Sequence, residues 1–329
     1  MKKLGLPMLA AFCFISLASP TAHAQDNLKL SGVVFSDYSY TLQSPGEAEN
    51  GDNGFGYRRV YLTVDYKISD DFSGRLRFEG ADNSTTSEGK PAPFIKDMYV
   101  KWSNALGDGH NLAFGAQSPG KWNVSEKTWG YRSLEKTIMD RAKIASSRDM
   151  GILFTGPITS DGRIKYNLMA ANNSGGKKET DKYKRVYGQL EFKASDAINV
   201  SLGGDYYQFD GGSSITGNAF VGYTQDDFQF GVEGYFNPKT MDAADDEDTK
   251  IGISVFGFYT VKEGQRFIAR YDMRDRDNIG VESKNGWAIV GYGVSPTKGV
   301  EIIPNLIYDK NDFDDDPTIK GRLTISAKF

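Results

Sequence analysis

The chain has 329 residues, 39 basic and 43 acidic side chains, two histidines, one cysteine and a net charge of −4. A single cysteine excludes a disulfide framework and any cysteine-rich metal site. Beyond the N-terminal segment, no stretch approaches the ~20 apolar residues of a membrane-spanning helix.

In chain order, Lys2 and Lys3 precede an apolar stretch, Leu4 to Leu17, and Ala22-His23-Ala24 supplies small residues at a cleavage site. This reads as a secretory signal, residues 1–24, removed after Ala24; the stretch is too short for an anchor and is broken by Pro7. Cys13 follows the bulky Phe12 and lacks the small residues of a lipidation site. The remainder, 25–329, is read as one barrel domain with no cysteine, one histidine (His110) and a net charge of −6.

From about Leu28 the pattern has a period of two. Arg58, Val60, Leu62, Val64, Tyr66 and Ile68 take one parity, and Arg59, Tyr61, Thr63, Asp65 and Lys67 the other. The alternation recurs about sixteen times. Successive strand side chains face opposite ways, so each strand has an apolar and a wet face. The joints alternate between long polar segments, such as Gln43–Asn53 and Ala81–Ala92, and tight turns, such as Ser69–Asp71 and Ala194–Ala197. This is the asymmetry of an outer-membrane barrel, with short periplasmic turns and long outer loops. Tyr66, Phe72, Trp102, Phe192, Tyr223, Phe228, Phe267 and Phe329 fall on the apolar parity beside the tight turns, where an aromatic girdle belongs.

The fold class is therefore all-β: a transmembrane antiparallel barrel of about sixteen strands. Arg58 and Lys96 fall on the outward parity at the outer rim, positioned to snorkel or to meet lipopolysaccharide phosphates. There a charge costs about 0–1 kcal/mol, against roughly 2–4 at the midplane. Ile251–Thr260 and Gly286–Val294 are apolar on both faces, which marks contact with a neighbour or with an inserted loop. Pro304 lies mid-strand and cannot donate to the ladder, so a bulge is expected there. The acidic runs Met241–Thr249 and Asp309–Asp316 fall in outer loops, solvated or bridged by divalent cations to lipopolysaccharide.

Sixteen strands leave a wide bore. The third long connection, 119–148, carries seven basic and three acidic residues, and Leu134, Ile138 and Ala142 take a helical spacing. It is expected to fold into the lumen as a constriction loop. The candidate pore-lining cations are Lys121, Lys127, Arg132, Lys136 and Arg141 on this loop and Arg59, Arg75, Arg77, Lys165, Arg185, Arg266 and Arg270 on the inward parity of the wall. In a narrow pore such cations weight ion traffic. Asp65, Glu79, Asp97, Glu191, Asp205, Glu233 and Asp272 share those faces and offset part of the charge. The last residues alternate again and end on Phe329, the expected membrane-assembly signal read by the barrel-assembly machinery.

Two stretches resemble a known family. Gly54–Gly80 (GFGYRRVYLTVDYKISDDFSGRLRFEG) is similar to the second hairpin of the phosphate-selective porins O and P. Leu112–Gly156, with FGAQSPGKW, Leu134-Glu135, Asp140-Arg141 and RDMGILFTG, is similar to that family's third-loop region. The resemblance implies a homotrimeric sixteen-stranded porin whose third loop enters the lumen. Its anion-guiding positions match best at Arg59, Arg75, Arg77, Lys121 and Arg141. No unbroken arginine ladder aligns.

His110, beside a tight turn, leaves no histidine for a hydrolase site at the outer rim, so no enzyme activity, cofactor or metal is expected. The expected function is passive diffusion of small hydrophilic solutes, with preference for anions and phosphate among them, across the outer membrane of a Gram-negative bacterium. Outer-membrane lipids and lipopolysaccharide are the expected surroundings, and nucleic acid is not a partner. A non-selective or cation-preferring porin, or a closed structural or adhesive barrel, remains the alternative.

Overall fold

The computed structural model describes residues 27–241, 246–278 and 281–329. The segment read from sequence as a secretory signal, with Ala24, and residues 242–245 of the first acidic run lie outside them. Sixteen strands follow one another: β1 (Leu28–Gln43), β2 (Asn53–Lys67), β3 (Phe72–Ala81), β4 (Phe94–Trp102), β5 (Asn111–Gln117), β6 (Asp149–Pro157), β7 (Ile164–Ala171) and β8 (Arg185–Lys193). Then come β9 (Ile198–Phe209), β10 (Gly212–Gln225), β11 (Phe228–Met241), β12 (Asp246–Lys262), β13 (Gln265–Asn278), β14 (Val281–Thr297), β15 (Val300–Asn311) and β16 (Thr318–Lys328). Each pairs antiparallel with its sequence neighbours, and β1 pairs with β16, so the sheet closes into a barrel. Closure leaves no edge strand with unpaired backbone groups.

The period-two pattern sets the two faces. Leu28, Leu30, Val60, Leu62, Leu168, Val221, Val255, Leu323 and Ile325 are exposed on the outer face. Polar neighbours such as Thr63, Asn167, Gln189, Asp205 and Thr324 are buried toward the interior. Tyr66, Phe72, Trp102, Phe228, Phe267 and Phe329 are exposed at the short-turn rim, as the sequence suggests.

Two basic residues break the parity. β1 pairs Phe35 with Arg59 and Ser36 with Tyr57, so Arg58 is the extra residue of a bulge. β3 pairs Arg77 with Asp97 and Phe78 with Ile95, leaving Lys96 as the extra residue of a second bulge. An extra residue re-aims its side chain. Arg58 therefore turns inward to Asp37, and Lys96 turns inward to Glu79. The outward, snorkelling placement read from the sequence is wrong for both.

Pro304 produces no bulge. Its register with β16 is unbroken (Pro304↔Leu323), and the shift between β14 and β15 falls instead at Val294/Thr297. The expected alternation of joints also needs correction at one rim. β9 and β10 are separated by only residues 210–211. β11 reaches Met241, β12 begins at Asp246 and β15 reaches Asn311, so pairing continues into the acidic runs that the sequence placed in outer loops. Toward that rim the sequence loses its apolar residues on both parities. The alternation fades there while the hydrogen-bonded ladder persists.

Candidate functional site

Residues 118–148, between β5 and β6, fold inward. They hold two short helices, α1 (Asn123–Trp129) and α2 (Ile138–Arg141). α1 ends on Gly130, whose left-handed backbone (φ 68°) suits glycine. The helical spacing expected over Ser133–Ile144 survives as the single turn of α2; α1 was not anticipated.

Packing explains the inward fold. Trp122, Ile138, Met139, Ile144 and Ala145 pack with Met169, Ala171, Tyr187 and Tyr235 of the wall. Trp129, Tyr131 and Leu134 pack with Phe220, Phe256, Ile268, Trp287, Ile289 and Ile303. The inward Phe256, Phe258, Trp287 and Ile289 are thus the seat of the third loop, which accounts for strands apolar on both faces. Fully burying one large apolar side chain contributes about 1.5–3 kcal/mol, so the seat holds the loop firmly.

Polar contacts fasten the loop at separate points. Lys121 pairs with Asp205, which also receives Arg185. Ser125 donates its hydroxyl to Glu233 (2.6 Å), and Gln229 donates to the Thr128 carbonyl. Arg58 donates to the carbonyls of Ser133 and Leu134, and Arg322 also donates to Leu134. Arg270 grips Asp272 through two bonds of 2.7 Å and donates to the Lys136 carbonyl. Arg141 pairs with Asp309 (3.0 Å) and stacks on Trp287, with Asp272 at 3.7 Å. Arg148 pairs with Asp97.

Glu135, at the loop tip, sits among these cations. Burial disfavours its charge, but the Lys136 N–H and the nearby Arg141, Arg270 and Arg58 outweigh burial and hold its carboxyl below the usual glutamate range.

Neither apolar cluster includes a residue of β1–β5. The inner wall of β2–β4 is instead lined by charge. Arg59 pairs with Glu79 (3.2 Å), Lys96 with the same Glu79, and Arg77 with Asp97 (3.1 Å). With Arg148 this makes four cations on two carboxylates. Nearer the short-turn rim, Arg75 and Asp65 form a two-bond pair at 2.6 and 3.0 Å. Across from this arc the loop presents Arg132 between Glu126 (3.2 Å) and Asp140 (3.3 Å). Asp140 is within electrostatic reach of Arg59, and Glu126 of Arg148.

The cations singled out from sequence therefore divide. Arg59, Arg75, Arg77 and Arg132 lie partly exposed on the two charged banks, each with a carboxylate partner. Lys127, Lys165 and Arg266 are exposed, Arg266 stacking on Phe258 at 4.9 Å, and Lys136 is half-buried. Lys121, Arg185 and Arg270 are 2–3% exposed and Arg141 is largely covered; they tie the loop to the wall rather than face open space. Arg185 and Arg270 do face inward, as their parity implies, but the loop covers them. Arg58, Lys96 and Arg322 were missed as interior cations. Alternation alone could not find the first two, because bulges turn them inward.

No protein-family model matches the chain, and no curated protein matches it. Solved structures do. An anion-selective porin from Comamonas acidovorans superposes with a TM-score of 0.69 at 14% identity, covering 92% of this chain and 99% of that one. OmpF of Salmonella typhi, in complex with daunomycin, gives 0.66 at 10% identity, covering 94% and 99%. In-vitro folded OmpT of Vibrio cholerae, in a trimer form, gives 0.64 at 12% identity, covering 92% and 99%. The chain therefore has the sixteen-stranded barrel fold of these outer-membrane proteins.

Proposed function

We propose that this chain is an outer-membrane porin through which small hydrophilic solutes diffuse, with a preference for anions. The observation that carries the proposal is the charged arc of β2–β4, which neither apolar cluster of the loop includes. Four cations on Glu79 and Asp97 leave a surplus of positive charge on that bank. A low-dielectric wall focuses such a surplus into the passage. The apolar outer face suits lipid; a water-soluble barrel would leave a belt of Leu, Val and Ile exposed to water.

Arg59, Arg77, Lys96 and Arg148 are the cations assigned to solute traffic, with Lys127 and Lys165 free to contribute nearer the short-turn rim. The anion-selective neighbour and the resemblance to the phosphate-selective porins support the sign of the preference. The carboxylates within the same clusters favour general anion preference over a dedicated phosphate path. The trimer form of OmpT and the family resemblance support a homotrimer.

Reconstitution into a planar bilayer tests this reading. A salt gradient of potassium chloride should give ohmic channels with a reversal potential on the anion side. Added phosphate that blocks chloride current would mark phosphate preference. A barrel that inserts without conducting would replace the porin by a closed structural barrel.

A further inference from the structure

Tyr61 projects from β2 into the charged arc. Arg59 of the same strand lies 5.6 Å from its ring centroid, Arg77 of β3 at 5.2 Å, and Lys96 of β4 at 5.8 Å. Arg59 also donates to the Tyr61 hydroxyl at 2.8 Å. One aromatic ring thus meets three cations from three adjacent strands, and the third reaches it only because of the bulge at Lys96.

These cations outnumber the carboxylates beside them, so they repel one another. Two kinds of group can hold them in place. A carboxylate anchors a cation but cancels its field. The face of a tyrosine ring attracts a cation through its quadrupole, by about 0.5–1 kcal/mol where exposed and ~2 where desolvated, and carries no net charge. Attraction without neutralisation is what a selective wall requires.

We infer that Tyr61 is a specificity-determining positioning residue: its ring gathers Arg59, Arg77 and Lys96 on the β2–β4 wall without adding to the negative charge of Glu79 and Asp97, which they already share. This rests on the porin reading above. Without the ring, the three side chains are free to splay apart or to close further onto Glu79 and Asp97, and the surplus field at the wall is diluted. The hydroxyl adds one acceptor for Arg59 and is secondary, because the ring serves all three cations.

The test compares reversal potentials of wild type, Tyr61→Leu, Tyr61→Phe and Arg77→Gln in planar bilayers. Tyr61→Leu should lower the anion/cation permeability ratio by about twofold or more. Tyr61→Phe, which keeps the ring, should restore it, and Arg77→Gln should lower it as loss of a wall cation. A structural role alone would move conductance in Leu and Phe variants without this split. If Tyr61→Leu does not assemble, Tyr61→Met is read in its place. A wild-type ratio in the ring-less variant, with Arg77→Gln still lowered, overturns the role of Tyr61 and leaves the porin reading standing. An unchanged ratio in both overturns the wall field itself, and channels absent from wild type overturn the porin reading.

Discussion

Arg58 and Arg322 donate to the same acceptor, the carbonyl oxygen of Leu134, at 3.0 and 2.9 Å. They stand on β2 and β16, on either side of β1, where the barrel closes. Asp37 on β1 pairs with Arg58 and lies 3.8 Å from Arg322, so one carboxylate holds two arginines together. The tip of the third loop is thereby fixed to the seam of the barrel.

Removing that grip should free the tip. Arg58→Ala with Arg322→Ala leaves the Leu134 carbonyl without either donor and Asp37 without a cation. An unmatched buried acceptor costs about 1–3 kcal/mol. The expected outcome is a folded barrel with higher mean single-channel conductance and more open-state noise. Conductance identical to wild type would show that the apolar seat alone holds the tip.

The seat itself is the second handle. Trp129 is fully buried, packs edge-on against Tyr131 and Phe256, and donates its indole N–H to the Glu135 carbonyl at 2.9 Å. Trp129→Ala should loosen loop docking by about 3–5 kcal/mol, the usual cost of removing a buried tryptophan. Protease cleavage within 118–148 of the detergent-solubilised protein should then become fast while the barrel stays resistant. Equal resistance in wild type and variant would argue against a docked loop.

Glu135 gives the loop an acid-sensitive contact. Its carboxyl titrates below the usual glutamate range in the folded protein, so its stabilisation is present above that range and lost as pH falls through the lowered value. Open-channel noise should therefore rise on acidification below the ordinary glutamate range. Glu135→Gln should show that noise at neutral pH and lose the acid response. An acid response retained in the glutamine variant would point to another carboxylate.

Phe329 and Gly32 give a prediction for assembly. A Cβ at Gly32 would lie 2.1–2.5 Å from ring atoms of Phe329, and the Gly32 N–H donates to the Phe329 carbonyl at 2.8 Å. The ring lies over a position that only glycine leaves open. Gly32→Val should displace the ring and destabilise the barrel by about 1–3 kcal/mol, the usual cost of overpacking. A lower melting temperature in the heat-modifiability assay checks this, and an unchanged melting temperature would show that the ring swings aside freely.

Much of the barrel was legible because its physics is repetitive. Leu323, Ile325 and Phe329 against Arg322 and Thr324 state one strand in miniature, and the same rule holds around the ring. The rule fails where the backbone departs from strict alternation. Arg58 and Lys96 read as lipid-facing because nothing in their local sequence announces an extra residue. It also fails near the long-loop rim, where Lys239, Thr240 and Met241 stay paired with Asp248, Glu247 and Asp246 although the sequence there loses its apolar alternation. Phe256, Phe258, Trp287 and Ile289 did signal an apolar partner on the inner face, and the third loop supplies it. Which cations that loop would cover was invisible, because Lys121 and Arg141 meet Asp205 and Asp309 across more than 80 residues of chain.

The loop's one-sided docking has a geometric consequence. With the loop's apolar packing confined to the later strands and only polar ties to β2–β4, any passage runs off-centre, between one bank made of continuous sheet and another made of tethered chain. Widening it by mutation would shift the far shore alone, and the arginine bank would keep its shape while the gap in front of it grew.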